Sequence, residues 1–288
     1  MSRAAELRKR LEGPEIIVMP GAYDVLTAVL VERAGFDTVF TTGFGASASM
    51  LGVPDIGLLT MPEAVDLARR VTNAVSIPLV ADMDTGYGNP LNVIRTVEQC
   101  IAADVGGIIL EDQEWPKKCG HFAGKRVIPL EDHVQKIRAA VDARSGHELV
   151  LIARTDARAP LGMDEAVRRG RAYREAGADV VFIEAPRSLE DLETMVEAFP
   201  YAPLFANMIE GGVTPFLSYQ ELQEIGFKMV VYPLSSLFTT ANAVARMLGV
   251  LRETGTTAGF DYKVSFEEFE AIVDTPKYRA MESEYAVR

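Results

Sequence analysis

Cys119 stands in the segment Trp115-Pro116-Lys117-Lys118-Cys119-Gly120-His121-Phe122-Ala123-Gly124-Lys125, with two lysines before it and a histidine two residues after. Cations beside a thiol favour the thiolate, and a nearby imidazole lets sulfur exchange a proton, so this is the composition of a proton donor or acceptor. A second chemical signal is Asp82-Met83-Asp84. On an extended strand two carboxylates spaced by two point to the same side. With Asp55 and Glu111 they would gather four carboxylates around one point. Such a cluster repels itself unless a cation sits in it, and oxygen donors without His or Cys favour Mg²⁺ or Mn²⁺. Taken singly, each acid is as well explained by helix capping or loop solvation; the convergence carries the metal reading. Arg154 follows a buried apolar run, where a guanidinium either grips a carboxylate bidentately or pairs with Asp156 or Glu184. Cys100, in the amphipathic stretch 97–102, reads as a small core residue, and His133 and His147 read as packing or surface residues.

These residues need elements to bring them together. Short apolar runs at 16–19, 38–41, 78–82, 107–111, 149–153, 180–184, 203–206 and 229–232 alternate with segments of helical spacing. The runs are continuous in Val, Ile and Leu rather than alternating, as strands buried on both faces of a parallel sheet require. Ala-Gly pairs at 34–35 and 176–177 close helices just before the next strand. Eight β-α repeats within about 250 residues predict a closed (β/α)₈ TIM barrel of the α/β class. No Gly-x-Gly-x-x-Gly follows the first strand, which removes the best signature of a dinucleotide fold. Barrel sites form at the C-terminal ends of the strands. Those ends are polar here: Thr42-Gly43-Phe44, Asp82 to Asp84, Glu111-Asp112-Gln113, Arg154-Thr155-Asp156, Glu184 and Asn207. The cysteine segment lies in a connection of about 18 residues after the fourth strand, the length of an active-site lid.

At 288 residues and 48% apolar side chains, the chain is long enough for a substantial core. No Ser/Gly-rich linker divides it, which predicts a single domain over 1–288, with an N-terminal helix within 1–12 and a C-terminal helical extension over 262–288. The 41 acidic residues against 29 basic ones, a charge of −12, argue against nucleic acid and anionic membrane as partners. A small anionic substrate remains open, because local cations can reverse the field. No apolar run approaches the roughly 20 residues that cross a bilayer. Two cysteines and no basic-then-apolar leader predict a cytoplasmic protein.

Read in chain order, Pro54-Asp55, Asp82-Met83-Asp84-Thr85-Gly86-Tyr87-Gly88, Leu110-Glu111-Asp112-Gln113, Lys117-Lys118-Cys119-Gly120-His121, Ala153-Arg154-Thr155-Asp156-Ala157 and Ala206-Asn207-Met208-Ile209-Glu210-Gly211-Gly212 form an ordered set. Together they resemble the motifs of the isocitrate lyase and phosphoenolpyruvate mutase superfamily over nearly the whole length. The resemblance is strongest to the branch of petal death protein and 2,3-dimethylmalate lyase. It implies a barrel whose last helix swaps onto a neighbour, in dimers paired as homotetramers. It implies Mg²⁺ held through Asp82, with waters held by Asp55, Asp84 and Glu111. It also implies a substrate cradle of Thr42, Gly43, Phe44, Asp82, Gly120, Arg154, Asn207 and Thr214, and a catalytic group of Lys117, Cys119, His121, Arg154 and Glu184.

The implied reaction is cleavage of a small anionic 2-hydroxy dicarboxylate, a 2-alkylmalate, dimethylmalate or methylisocitrate-like acid, to a 2-oxo acid and a carboxylate. Cys119 would protonate the leaving carbon, and Tyr23, Tyr87 or a metal-bound water would take the hydroxyl proton. Methylisocitrate lyases resemble Ser-Gly-Gly where this chain has Thr42-Gly43-Phe44, so bulky Phe44 favours a smaller or alkyl-substituted malate. Three alternatives stay open. One is a carboxyphosphonoenolpyruvate phosphonomutase-like enzyme acting on a phosphorus-carbon bond. The second is an oxaloacetate decarboxylase or hydrolase, although hydrolysing relatives tend to have serine at the position of Pro160. The third is a non-enzymatic acidic scaffold.

Overall fold

All eight apolar runs form strands, because each buries one face inside a barrel and the other under helices. A computed structural model of the chain describes residues 2–120, 124–261 and 264–286. The strands are β1 (Ile17–Ala22), β2 (Val39–Thr41), β3 (Leu79–Asp82), β4 (Gly107–Glu111), β5 (Val150–Thr155), β6 (Val180–Ile183), β7 (Leu204–Asn207) and β8 (Met229–Tyr232). They pair in parallel in chain order, and β8 closes on β1 with Ile17 opposite Met229. Two strands run further than the apolar pattern predicts. β1 continues through Pro20 and Gly21 to Ala22, and β5 continues to Thr155, so Arg154 lies inside the strand, opposite Glu111 in register, rather than beyond it.

The pleat sorts each strand into two sets. Ile17, Met19, Phe40, Val80, Ile109, Val150, Ile152, Val180, Phe182, Phe205, Met229 and Val231 fill the barrel. Their neighbours Val39, Leu79, Ala81, Ile108, Leu110, Leu151 and Ala153 face the helices in a second apolar cluster. The N-terminal helix predicted within 1–12 is Arg3–Glu12, capped by the Ser2 hydroxyl on the Ala5 N–H. Its Leu7 is fully buried among the barrel residues at the N-terminal ends of the strands. Beside it, Arg8 holds the Asp179 carboxylate through both terminal nitrogens at 3.0 Å and the Leu149 carbonyl at 3.1 Å.

The chain divides into two compact units, 1–236 and 237–288. The first contains the whole barrel. In the second lie most of the helix Ser235–Thr254 and the helices Phe266–Ile272 and Thr275–Glu284. Ser235–Thr254 has no buried residue, and Phe238, Val244, Leu248 and Leu251 along it are exposed. Among the described residues no helix is long and apolar enough to cross a membrane.

Candidate active site

Following the pleat outward from the barrel interior identifies the residues of the rim. Two positions beyond the interior residues Phe40, Val80, Ile109, Ile152, Phe182 and Phe205 come Thr42, Asp82, Glu111, Arg154, Glu184 and Asn207. All but Glu184 line one cavity of about 40 Å³, together with Phe44, Asp55, Lys117, Cys119 and Gly120. Aromatic rings form its floor: Phe182 and Phe205 lie 4.6 Å apart between centroids, and the Arg154 guanidinium stands 5.2 Å above Phe182.

The long connection between β4 and its helix is a flap with a paired stem. The Glu114 N–H donates to the Arg126 carbonyl, the Ile128 N–H donates to the Asp112 carbonyl, and Gln113 pairs antiparallel with Val127. Gln113 also clamps Lys118, donating to its carbonyl at 2.8 Å and accepting its N–H at 3.0 Å. The Cys119 N–H donates to the Asp55 carbonyl at 3.1 Å, which sets the buried Cys119 against the cavity. At Gly120 a Cβ would stand 2.5 Å from Arg154 Nη2 and 2.7 Å from the Glu184 carboxyl carbon, so the flap rests on the rim where only glycine fits. His121 lies outside the described residues. Cys100 is a core residue as predicted, its thiol pushed up to about 12 by burial.

The acids do not all meet at one point. β3 ends at Asp82, and Asp84 lies in a left-handed turn at φ 47°, so the unbroken strand assumed for the pair is absent. The turn brings them together by another route: the Asp84 N–H donates to Asp82 Oδ1 at 3.1 Å, and the Gly43 N–H donates to Asp82 Oδ2 at 3.2 Å. Lys117 inserts its ammonium here, bonded to Asp55 and 2.7 Å from Asp84 Oδ1. Glu111 turns instead to Arg154, at 3.3 Å. Buried carboxylates are costly without a counter-charge, so the two nearest cations have drawn the cluster into two groups.

Among the described residues no three acidic, His or Cys side chains make a ready metal cage. The site nonetheless fits a dication. Asp84 Oδ2 and Glu111 Oε1 are buried without a hydrogen-bond partner. Burial, reinforced by Asp82 and Asp55 and opposed by Lys117, raises Asp84 to about 7, and burial holds Glu111 well above the ordinary range. Burial works against the Lys117 ammonium, but Asp84, Glu111, Asp55 and Asp82 outweigh it and its pKa rises. Four acids facing Lys117 and a shared Arg154 leave negative charge that a hard cation with oxygen donors would neutralise.

Arg154 makes both ion pairs that the sequence left open. Its Nε and Nη2 donate to Asp156 at 2.9 and 3.0 Å, and Nη1 lies 3.5 Å from Glu184. Asn207 Nδ2 donates to Glu184 at 3.2 Å. Beneath them Asp112 accepts from the Thr155 and Tyr173 hydroxyls, the Asp156 N–H and Arg169, a buried support that sequence reasoning missed. One signal was available: Asp112 follows Glu111 directly and must take the opposite face of the pleat.

Thr214 is buried with its hydroxyl unpartnered, and it is not among the cavity-lining residues. Pro160 stands exposed on the short helix Arg158–Leu161, away from the cavity lining, so its side chain carries no argument about hydrolysis. Burial, then Asp84 and Asp82, raise the Tyr87 pKa well above its ordinary value.

A thiol, a fixed guanidinium and an acid pocket around one small cavity at the C-terminal end of a barrel define an enzyme that handles small anions. The chain belongs to the phosphoenolpyruvate phosphomutase family, whose profile matches residues 7–251. It is 45% identical to 2,3-dimethylmalate lyase of Eubacterium barkeri over 99% of both chains, and 43% identical to petal death protein of Dianthus caryophyllus over 98% of this chain and 89% of that one. It is also 45% identical to the chloroplastic carboxyvinyl-carboxyphosphonate phosphorylmutase of Arabidopsis thaliana, over 96% of this chain and 83% of that one. The solved structure of a 2,3-dimethylmalate lyase superposes with TM-score 0.94 at 37% identity, covering 99% of this chain and 95% of that one. A phosphonopyruvate hydrolase solved with oxalate and Mg²⁺ gives TM-score 0.89 at 32% identity, with 99% of each chain covered.

Proposed function

We propose that this enzyme is a Mg²⁺-dependent carbon-carbon lyase that cleaves a 2-alkylmalate or dimethylmalate to a 2-oxo acid and a carboxylate. The observation that carries the proposal is that Cys119, Arg154 and Asp82 line the same cavity. The substrate class follows the names of the lyase relatives, and Phe44 in the lining supplies apolar contact for an alkyl group. Asp82 would hold Mg²⁺, or Mn²⁺ by the same donor chemistry, with Asp55, Asp84 and Glu111 around it once Lys117 withdraws. When bound, the cation supplies Lewis-acid polarisation of the substrate oxygens.

The chain's own residues do the rest. Thr42, Gly43, Phe44, Gly120 and Asn207 enclose the substrate, and Arg154, held in plane by Asp156, grips the carboxylate that develops charge. The C2 hydroxyl would pass its proton to Tyr23, Tyr87 or a water as base, C2=O forms, and the C2–C3 electron pair passes to C3. The Cys119 thiol gives its proton to that carbon, so no further reactant is needed. His121 and Glu184 orient this transfer, and Thr214 is proposed to reach the substrate from its buried position.

Four copies, arranged as a dimer of helix-swapped dimers, complete the proposal. What supports it is the 20-residue helix Ser235–Thr254, which leaves its apolar residues uncovered within one chain. The barrel and its C-terminal extension then act as one domain over 1–288, built across subunits.

The reaction is tested by incubating malate, 2-methylmalate, 2-ethylmalate, 2,3-dimethylmalate, 2-methylisocitrate and oxaloacetate with the protein, with and without a chelator. Formation of a 2-oxo acid from an alkylmalate only when free Mg²⁺ is present supports the proposal. Release of phosphorus-containing product from a phosphonate, with no malate cleaved, replaces it with the phosphonomutase reading.

A further inference from the structure

Lys125 has no part in the chemistry described so far, yet its side chain is only 1% exposed. It sits at the foot of the returning strand of the flap stem, next to Arg126, whose carbonyl accepts from Glu114. A buried ammonium persists only when acceptors surround it. Two do: Lys125 Nζ donates to Asp156 Oδ1 at 2.6 Å and to the carbonyl of Gly120. Asp156 is the carboxylate that receives Arg154 through two nitrogens, and Gly120 is the residue after Cys119. One ammonium therefore ties the cysteine-bearing part of the flap to the group that orients the guanidinium.

We propose that Lys125 is a positioning residue that fixes the Cys119 thiol relative to Arg154 by joining the Gly120 carbonyl to Asp156. The inference rests on the lyase reading for its purpose, but its geometry does not depend on it. The other restraints on this part of the flap act elsewhere: Gln113 grips Lys118 within the flap, and Asp55 receives the Cys119 N–H from the acid side. Among these contacts, Lys125 supplies the tie to Asp156, the residue that follows β5. Gly120 itself lies close against Arg154 and Glu184, where a Cβ would stand 2.5 Å from Arg154 Nη2 and 2.7 Å from the Glu184 carboxyl carbon. The pull on Asp156 matters as well, because a carboxylate shared between Lys125 and Arg154 has fewer orientations than one serving Arg154 alone.

The test is the rate at which iodoacetamide alkylates Cys119 in the folded protein, read by mass spectrometry, with fully buried Cys100 as internal control. Lys125→Met keeps the unbranched stem of the side chain out to Cε, and Asp156 keeps Arg154, so no carboxylate is stranded. This variant is expected to alkylate at Cys119 about tenfold faster than wild type, the scale of one lost charge-assisted hydrogen bond. Its turnover should fall by a similar factor with KM within about threefold, and Lys125→Arg, which retains charge and donors, should recover most of both. If Lys125→Met does not fold, Lys125→Gln, which keeps one donor for Gly120, takes its place, with an intermediate acceleration expected. A folded variant whose Cys119 alkylates at the wild-type rate overturns the proposal even if its melting temperature has dropped. Alkylation needs no substrate, so absence of malate cleavage in the wild-type protein would strike the lyase reading and leave this result standing.

Discussion

Cys119 and Lys117 lie two residues apart on the flap and serve opposite ends of the site, the thiol facing the cavity and the ammonium filling the acid pocket. Replacing Cys119 with serine leaves a hydroxyl that holds its proton far more tightly. Turnover should drop by at least about 100-fold, the usual scale of a lost general acid, while calorimetric Mg²⁺ binding stays unchanged; retained turnover would remove the thiol from the mechanism. Lys117→Met should have the reverse signature toward the cation. With the competing ammonium gone, Mg²⁺ titrated into the substrate-free protein should bind about tenfold more tightly, and equal or weaker binding would show that Lys117 does not compete. Asp82, Glu111 and Arg154 were legible in the sequence because each stands at the end of an apolar run, and Cys119 because of the lysines and histidine beside it. The place of Lys117 was not, since it depends on how a flap folds back onto Asp84 and Asp55, 33 and 62 residues earlier in the chain. Lys125 was hidden for the same reason: its partner Asp156 is brought to it by the pairing of β5 with β4.

Among the elements, the strands were the most legible, because burial on both faces writes itself as unbroken apolar runs. The ends of β1 and β5 were not, since register with neighbours, and not composition, decides where pairing stops. The helix Leu130–Ala143 contains the chain's clearest pH liability. His133, edge-on to Tyr173 at 4.6 Å, is buried, and burial followed by the nearby Lys136 and Arg169 charges lowers its pKa to about 3. Unfolded, the imidazole takes a proton below about 6.5, whereas the folded protein refuses it down to about 3. Below pH 6.5 the unfolded state therefore binds more protons, and stability falls by about 1.4 kcal/mol per pH unit; above 6.5 the group contributes no slope. Urea unfolding of wild type and His133→Phe at pH 7.5 and 5.5 should show the variant losing less stability between the two. An identical loss would mean that His133 is protonated in the fold. At the other end of the barrel, Leu7→Ala should cost about 2 to 4 kcal/mol by emptying the fully buried site under the strands, with KM unchanged. A loss below about 0.5 kcal/mol would mean that the N-terminal helix does not plug the barrel.

At the scale of the whole molecule, the exposed apolar residues along Ser235–Thr254 predict association. Light scattering should give four times the 31.5 kDa chain mass, and a monomer at micromolar concentration would contradict helix exchange. The most direct test of the central claim follows 2,3-dimethylmalate by NMR in D₂O with Mg²⁺ present. If Cys119 protonates the carbon released by C2–C3 cleavage, pyruvate and propionate appear in equal amounts, the propionate carries one deuterium at C2, and both chelator and Cys119→Ser abolish the signals. Cleavage that persists in Cys119→Ser, or an intact malate beside a rearranged phosphonate, would contradict it.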